Sequence, residues 1–175
     1  CKIVNMIITA GKFKGQKVAA PDENITRPTL SKVRMSIFNT LQALIEFNGS
    51  SFLDMFAGSG IMGLEALSRG FESAVAIEKN PKVVRVIKEN FKKFKQAPKL
   101  LVGDSIKISS KSEQNFDVIY IDPPYFSGVY KNSLEAVRNI SSGIVILEHV
   151  VDVDFGDFEV IKQKKYGDKF VTFLR

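Results

Sequence analysis

Ser51-Phe52-Leu53-Asp54-Met55-Phe56-Ala57-Gly58-Ser59-Gly60-Ile61-Met62-Gly63 decides the architecture of this chain. The apolar run at 51–55 reads as a strand and passes directly into Gly58-x-Gly60-x-x-Gly63. That spacing alone is common. Its context is not: the loop follows a strand, opens a helix and precedes an acid, Glu78, at the end of the next apolar run. Glycine lets the backbone turn tightly and approach a ligand, and a carboxylate can accept hydrogen bonds from both hydroxyls of a ribose. The loop is therefore expected to hold a nucleoside-containing cofactor.

Outward from this loop, apolar runs at 51–55, 73–77, 99–102, 116–121 and 143–147 alternate with helical patterns, the signature of a parallel sheet flanked by helices. Two more runs, at 158–162 and 169–174, are separated by Lys164-Lys165-Tyr166-Gly167-Asp168, too short for a helical crossover, and predict an antiparallel hairpin. The fold class is thus α/β, a Rossmann-like seven-stranded mixed sheet with helices on both faces. Val84, Ile87, Phe91 and Phe94 give one helix its apolar stripe, and Arg85, Lys88, Lys92 and Lys95 its solvated face. Upstream, segments 6–9 and 16–19 flank Ala10-Gly11-Lys12-Phe13-Lys14-Gly15 and predict a small hairpin. A helix over 31–45 follows, with Ser31 as its N-cap and Val33, Ile37, Phe38, Leu41 and Ile45 buried. The chain reads as one domain over 1–175, a basic hairpin-and-helix extension at 6–50 on a catalytic core at 51–175.

Composition narrows the setting. With 175 residues, 45% hydrophobic and 25% charged, there is room for one sizeable core. Cys1 is the only cysteine, so no disulfide framework or cysteine-bound zinc site can form, no metal is expected, and a cytoplasmic location follows. No apolar run nears the ~20 residues that span a bilayer, and signal-peptide regions are missing; Met6 is a candidate start, with 1–5 a leader. Residues 1–50 carry seven Lys or Arg against three Asp or Glu, +4 of the net +6. That excess suits either a polyanionic partner or an ordinary solvated surface.

Two cofactors suit the glycine loop, a nicotinamide dinucleotide and S-adenosylmethionine. A pyrophosphate beside Asp54 would be repelled, whereas an ammonium and a sulfonium would be attracted, so Asp54 favours the second unless it merely caps the turn. Gly103-Asp104-Ser105 ends the third run of the sheet. Asp104 can accept from an adenine amino group while the Ser105 amide donates to the ring, or Asp104 can simply cap the next helix.

The fourth run is followed at once by Asp122-Pro123-Pro124-Tyr125. In a doubly wound sheet the first and fourth strands meet at the topological switch point, so this tetrapeptide should face the glycine loop. It resembles the fourth motif of amino-methyltransferases, which act on exocyclic amines of bases. Such an amine is a poor nucleophile because its lone pair is delocalised into the ring. The Asp122 carboxylate and the Pro123 carbonyl can take its two hydrogens, Pro123 and Pro124 stiffen the loop, and Tyr125 can stack on the base. Asp122 needs no raised pKa for this, because the amine becomes acidic once methylated.

Over nearly its whole length the sequence resembles the RsmD family of 16S rRNA guanine methyltransferases. The resemblance is carried in order by Gly11-Lys12-Phe13-Lys14-Gly15-Gln16-Lys17, Arg27-Pro28-Thr29 with Val33-Arg34, Asp54 to Gly60, Gly63-Leu64-Glu65-Ala66-Leu67-Ser68-Arg69, and Asp122 to Tyr125. It implies a class I S-adenosylmethionine-dependent enzyme that methylates the 2-amino group of a guanine in 16S rRNA or the small ribosomal subunit, as a monomer. It implies further that Arg27, Thr29 and Phe56 border the cofactor with Asp54, Gly58, Gly60, Glu78, Asp104 and Ser105. Lys12, Phe13, Lys14, Lys17, Arg27 and Arg34 would meet RNA.

Three alternatives remain at this point. A DNA adenine-N6 or cytosine-N4 methyltransferase shares the tetrapeptide, but no insertion is long enough for a DNA-reading region. A binding-only protein leaves Asp122 to Tyr125 unexplained. A dinucleotide oxidoreductase lacks an evident hydride-transfer acid or base; His149, the only histidine, reads as a surface or loop residue, and Glu148 borders the cleft without an assigned role.

Overall fold

The computed structural model describes residues 4–21 and 30–175. A two-stranded antiparallel ribbon, β1 (Asn5–Ile7) and β2 (Lys17–Ala19), sets Asn5 opposite Ala19. After α1 (Ser31–Leu44), the chain alternates through β3 (Ser51–Asp54), α2 (Ile61–Ser68), β4 (Ser73–Glu78), α3 (Pro81–Phe91), β5 (Lys99–Val102), α4 (Ser105–Ser110), β6 (Phe116–Ile121), α5 (Val129–Val137) and β7 (Ser141–His149). It closes on β8 (Val160–Tyr166) and β9 (Lys169–Leu174). The seven-stranded sheet runs β5-β4-β3-β6-β7-β9-β8, with β9 antiparallel to both its neighbours. Strand order reverses between β3 and β6, the switch point the sequence predicts.

Period-two alternation splits the core into two layers. Phe52, Val118, Tyr120, Ile144, Ile146, Val171 and Phe173 face one way and pack with Phe38 and Leu41 of α1 and Leu64 and Leu67 of α2. Leu53, Ile119, Ile121, Val145 and Leu147 face the other way, against Leu134 and Val137 of α5. Each such aliphatic or aromatic side chain contributes about 1.5–3 kcal/mol on burial, which fixes the sheet between two helical layers. Ser31 is not the cap of α1: it is the first helical residue, and Leu30 holds the cap position without a side-chain bond.

The ribbon is bolted to the sheet's helices. Glu65 of α2, fully buried, accepts from the Thr9 amide at 3.1 Å, Arg34 Nε at 3.1 Å and Arg69 Nε at 3.0 Å. Arg34 Nη2 also donates to the Ile7 carbonyl at 2.6 Å. Arg34 is thus removed from the RNA surface the sequence assigns it to: a buried carboxylate draws its cation inward. Phe13 is likewise buried, edge-on to Phe94 at 5.2 Å, and anchors the ribbon instead of meeting RNA. Lys12, Lys14 and Lys17 stay exposed. Asn90 of α3 makes a second bolt. Its Oδ1 accepts from the Ala19 amide at 2.9 Å, and its Nδ2 donates to the carbonyls of Ala19 at 2.9 Å and Ser59 at 3.0 Å.

Candidate active site

A cleft of about 860 Å³ opens at the carboxyl ends of β3, β4, β6 and β7. Its floor is the glycine loop. Gly60 takes a φ of +83° at the N-terminus of α2, and a Cβ there would lie 2.5 Å from the Phe91 ring. Gly58, at φ +55°, would project a Cβ into open space, so its bare backbone is the loop's accessible face. Glu78 braces the loop: its carboxylate accepts from the amides of Gly58 at 3.3 Å and of Lys79 and Asn80 at 2.9 Å. Asn80 then caps α3 through the Lys82 amide, with Pro81 at the first helical position.

Asp54 ends β3 fully buried, and among the described residues neither carboxylate oxygen has a hydrogen-bond partner. Burial pushes its pKa up to about 8; Glu78 and Glu148 add to the rise, and the Phe56 amide, short of a full hydrogen bond, opposes it. A buried carboxyl without a partner among the described residues, at the wall of a cleft, suits a cationic ligand, whose charge favours the ionised form. Asp104 accepts from the Lys107 amide at 2.9 Å and so caps α4, yet it also lines the cleft with Ser105. Phe56 and Gly58 line it too. Arg27 and Thr29 lie outside the described residues.

Opposite the loop stand Asp122, Pro123, Pro124 and the 71% exposed ring of Tyr125. Lys169 at the start of β9 lies 3.3 and 3.4 Å from the two Asp122 oxygens and donates to Glu148 Oε2 at 2.6 Å. Burial and the neighbouring Glu148 carboxylate push the Asp122 carboxyl well above the ordinary carboxylate range, against the opposing pull of Lys169. Burial lowers Lys169, but the two carboxylates outweigh it and hold the ammonium above its ordinary value. The sequence needs no perturbed acid at Asp122; the fold supplies one.

The sequence leaves Glu148 without a role and misses Lys169. Pairing of β6 with β7 sets Ile121 beside Leu147, so the next residues, Asp122 and Glu148, fall side by side; pairing of β7 with β9 sets Glu148 opposite Val171, two residues from Lys169. His149 is buried, not a surface residue. Its Nδ1 meets the Val151 carbonyl at 2.7 Å and so carries the proton, which leaves Nε2 to accept from the Thr172 hydroxyl at 2.8 Å; the ring stacks on Phe170.

The donor set fits S-adenosylmethionine: a carboxyl at Asp54, without a partner among the described residues, for its ammonium, Glu78 for ribose hydroxyls, and Asp104 with Ser105 beside the place of an adenine. A family model described as Conserved hypothetical protein 95 matches residues 6–175. YlbH of Bacillus subtilis, provisionally designated an rRNA methyltransferase, is 33% identical over 175 residues, 93% of this chain and 94% of that protein. The ribosomal RNA small subunit methyltransferase D of Buchnera aphidicola subsp. Acyrthosiphon pisum is 31% identical over 134 residues, 75% of this chain and 69% of that protein. Among solved structures, the Escherichia coli methyltransferase-like protein yhhF superposes with a TM-score of 0.86 at 22% identity, over 98% of this chain and 97% of that one. The Thermus thermophilus 16S rRNA N2 G1207 methyltransferase RsmC, in complex with AdoMet and guanosine, superposes at 0.74 and 16% identity, over 99% of this chain and 50% of that one. At these identities the two structures establish a shared fold.

Proposed function

The chain belongs to the family described as Conserved hypothetical protein 95, the RsmD family, and from that premise we propose that it methylates the exocyclic 2-amino group of a guanine in the 16S rRNA of the small ribosomal subunit. The fold is that of the class I methyltransferases, and the cofactor is S-adenosylmethionine. One observation carries the reading: Asp122, tethered by Lys169, shares a single cleft with the glycine loop and the buried Asp54.

S-adenosylmethionine supplies an electrophilic methyl group on its sulfonium. The chain's own residues do the rest. Asp54 and Glu78 hold the ammonium and the ribose; Gly58 lets the backbone come close. Tyr125 stacks on the extruded base, worth about 1–3 kcal/mol. Asp122 and the Pro123 carbonyl accept the two amine hydrogens, which turns the nitrogen lone pair out of the ring plane toward the methyl. In its ionised form, held by Lys169, Asp122 can then take the proton that the methylated amine releases. Lys12, Lys14 and Lys17 bind RNA phosphates from the ribbon.

The test is to offer labelled S-adenosylmethionine with free RNA, small subunits lacking the modification, and DNA, and to identify the labelled nucleoside. N2-methylguanosine from ribosomal RNA is the expected product. Label in N6-methyladenosine or N4-methylcytosine, or transfer to DNA alone, overturns the assignment; cofactor binding without transfer to any substrate would leave a binding protein.

A further inference from the structure

We propose that Glu148 reads the N1–H of the bound base, so that selection of guanine and orientation of its 2-amino group on Asp122 are one event. The proposal rests on the guanine reading above and adds the residue that enforces it.

Glu148 is 1% exposed and lines the cleft beside Asp122. Its Oε2 is taken by Lys169 Nζ at 2.6 Å, while its Oε1 has no donor among the described residues unless the neighbouring Asp122 carboxyl is protonated, so with both acids ionised it is left open to the cleft. A buried carboxylate oxygen left unpaired is costly, and the bond that satisfies it must come from a donor. The same ammonium lies 3.3 Å from Asp122, so Lys169 holds two carboxylates next to each other on the cleft wall.

Two adjacent acceptors match one base edge. Guanine carries its exocyclic amine next to N1–H, two neighbouring donors. Adenine and cytosine carry theirs next to a bare ring nitrogen, whose lone pair would face a carboxylate. With the guanine amine on Asp122, its N1–H falls toward Glu148; with either other amine there, Glu148 meets an acceptor and repels it. Lys169 acts as a positioning residue: it fixes which oxygen of Glu148 is left for the base. Sites built to hydrogen-bond a substrate N–H reject the analogue lacking it by large factors, because the site's own group is then stranded.

Glu148→Gln tests this with a change of sign. Lys169 is a donor only, so the amide oxygen must turn toward it and the NH₂ must take the place of Oε1. That NH₂ opposes the N1–H of guanine but complements the bare N1 of 2-aminopurine, which retains the 2-amino group. RNA carrying guanine or 2-aminopurine at the methylated position, as located by the labelled-product assay, is compared in single turnover with wild type and Glu148→Gln. Wild type should prefer guanine by at least about 10²-fold. The variant should slow on guanine, gain on 2-aminopurine, and narrow that ratio by about 10²-fold or more, both RNAs being compared at saturating S-adenosylmethionine. Equal wild-type rates on the two RNAs overturn the proposal without any variant, as does a Glu148→Gln enzyme that slows equally on both. Wild-type label outside N2-methylguanosine fails the guanine reading itself; N2-methylguanosine with an unmoved ratio fails only the role of Glu148.

Discussion

An Asp54 carboxyl that titrates near 8 binds a proton that the unfolded chain has already released. Between about pH 4 and 8 the native state therefore holds more protons than the unfolded one, and Asp54 makes the ligand-free protein less stable as pH rises through that window. Asp54→Asn removes this dependence. The stability difference between variant and wild type should move in the variant's favour by about 1.4 kcal/mol per pH unit across the window, measured by urea unfolding. The gain has a functional cost. Binding a cationic ligand favours the ionised carboxylate, so wild-type cofactor affinity should rise about tenfold per pH unit below 8 with release of one proton. Titration calorimetry in buffers of different ionisation enthalpy reads that proton, and Asp54→Asn should abolish both its release and most of the affinity. At the opposite wall, Asp122→Ala should lower turnover about 10²–10⁴-fold with cofactor affinity nearly intact. Tyr125→Ala should also raise the RNA concentration required, since it removes stacking. Near-normal single-turnover transfer by Asp122→Ala would sink the mechanism.

At the level of elements, the N-terminal ribbon and α1 sort their cations into two kinds. Lys12, Lys14 and Lys17 are exposed, whereas Arg34 is sealed against Glu65. Replacing the three lysines with glutamine should leave thermal unfolding almost unmoved and reduce the log–log salt slope of RNA binding by about 0.7–0.9 for each. An unchanged slope would make the ribbon only a cover. Arg34→Met strands half the charge of Glu65 and should cost about 3–5 kcal/mol in urea unfolding. The sequence shows both sets only as basic residues of the N-terminal segment, and charge alone cannot separate them. The difference is made by Glu65, whose place on a helix buried all round becomes visible only once α2 packs under the ribbon. The strands were easier to read, because period-two apolar runs and a glycine loop are local signals. Lys169 was not: it lies 47 residues from Asp122 and 21 from Glu148, and meets them only through strand register.

For the molecule as a whole, ligand binding and folding are linked. At 100 times its dissociation constant, a ligand specific for the native state adds about 2.7 kcal/mol, so S-adenosylmethionine or its demethylated product should raise the unfolding temperature clearly. A shift with a nicotinamide dinucleotide instead would overturn the cofactor assignment. Asp54, Glu78, Asp104 and Asp122 are legible in the sequence as cleft residues because they follow apolar runs and open sheets gather ligands at strand ends; that Asp54 has no partner among the described residues is not legible, since that depends on what every neighbour's side chain does. The Asn90 bolt has its own bearing on engineering. One amide side chain grips Ala19 of the ribbon and Ser59 of the cofactor loop together, so the ribbon is no detachable module. Grafting it onto another methyltransferase scaffold would carry its lysines but not their alignment. Deleting it would strip Asn90 of both its bonds to Ala19 and leave its grip on Ser59 without the ribbon side that fixes it, so the smallest autonomous catalyst in this chain should be larger than the sheet and its helices alone.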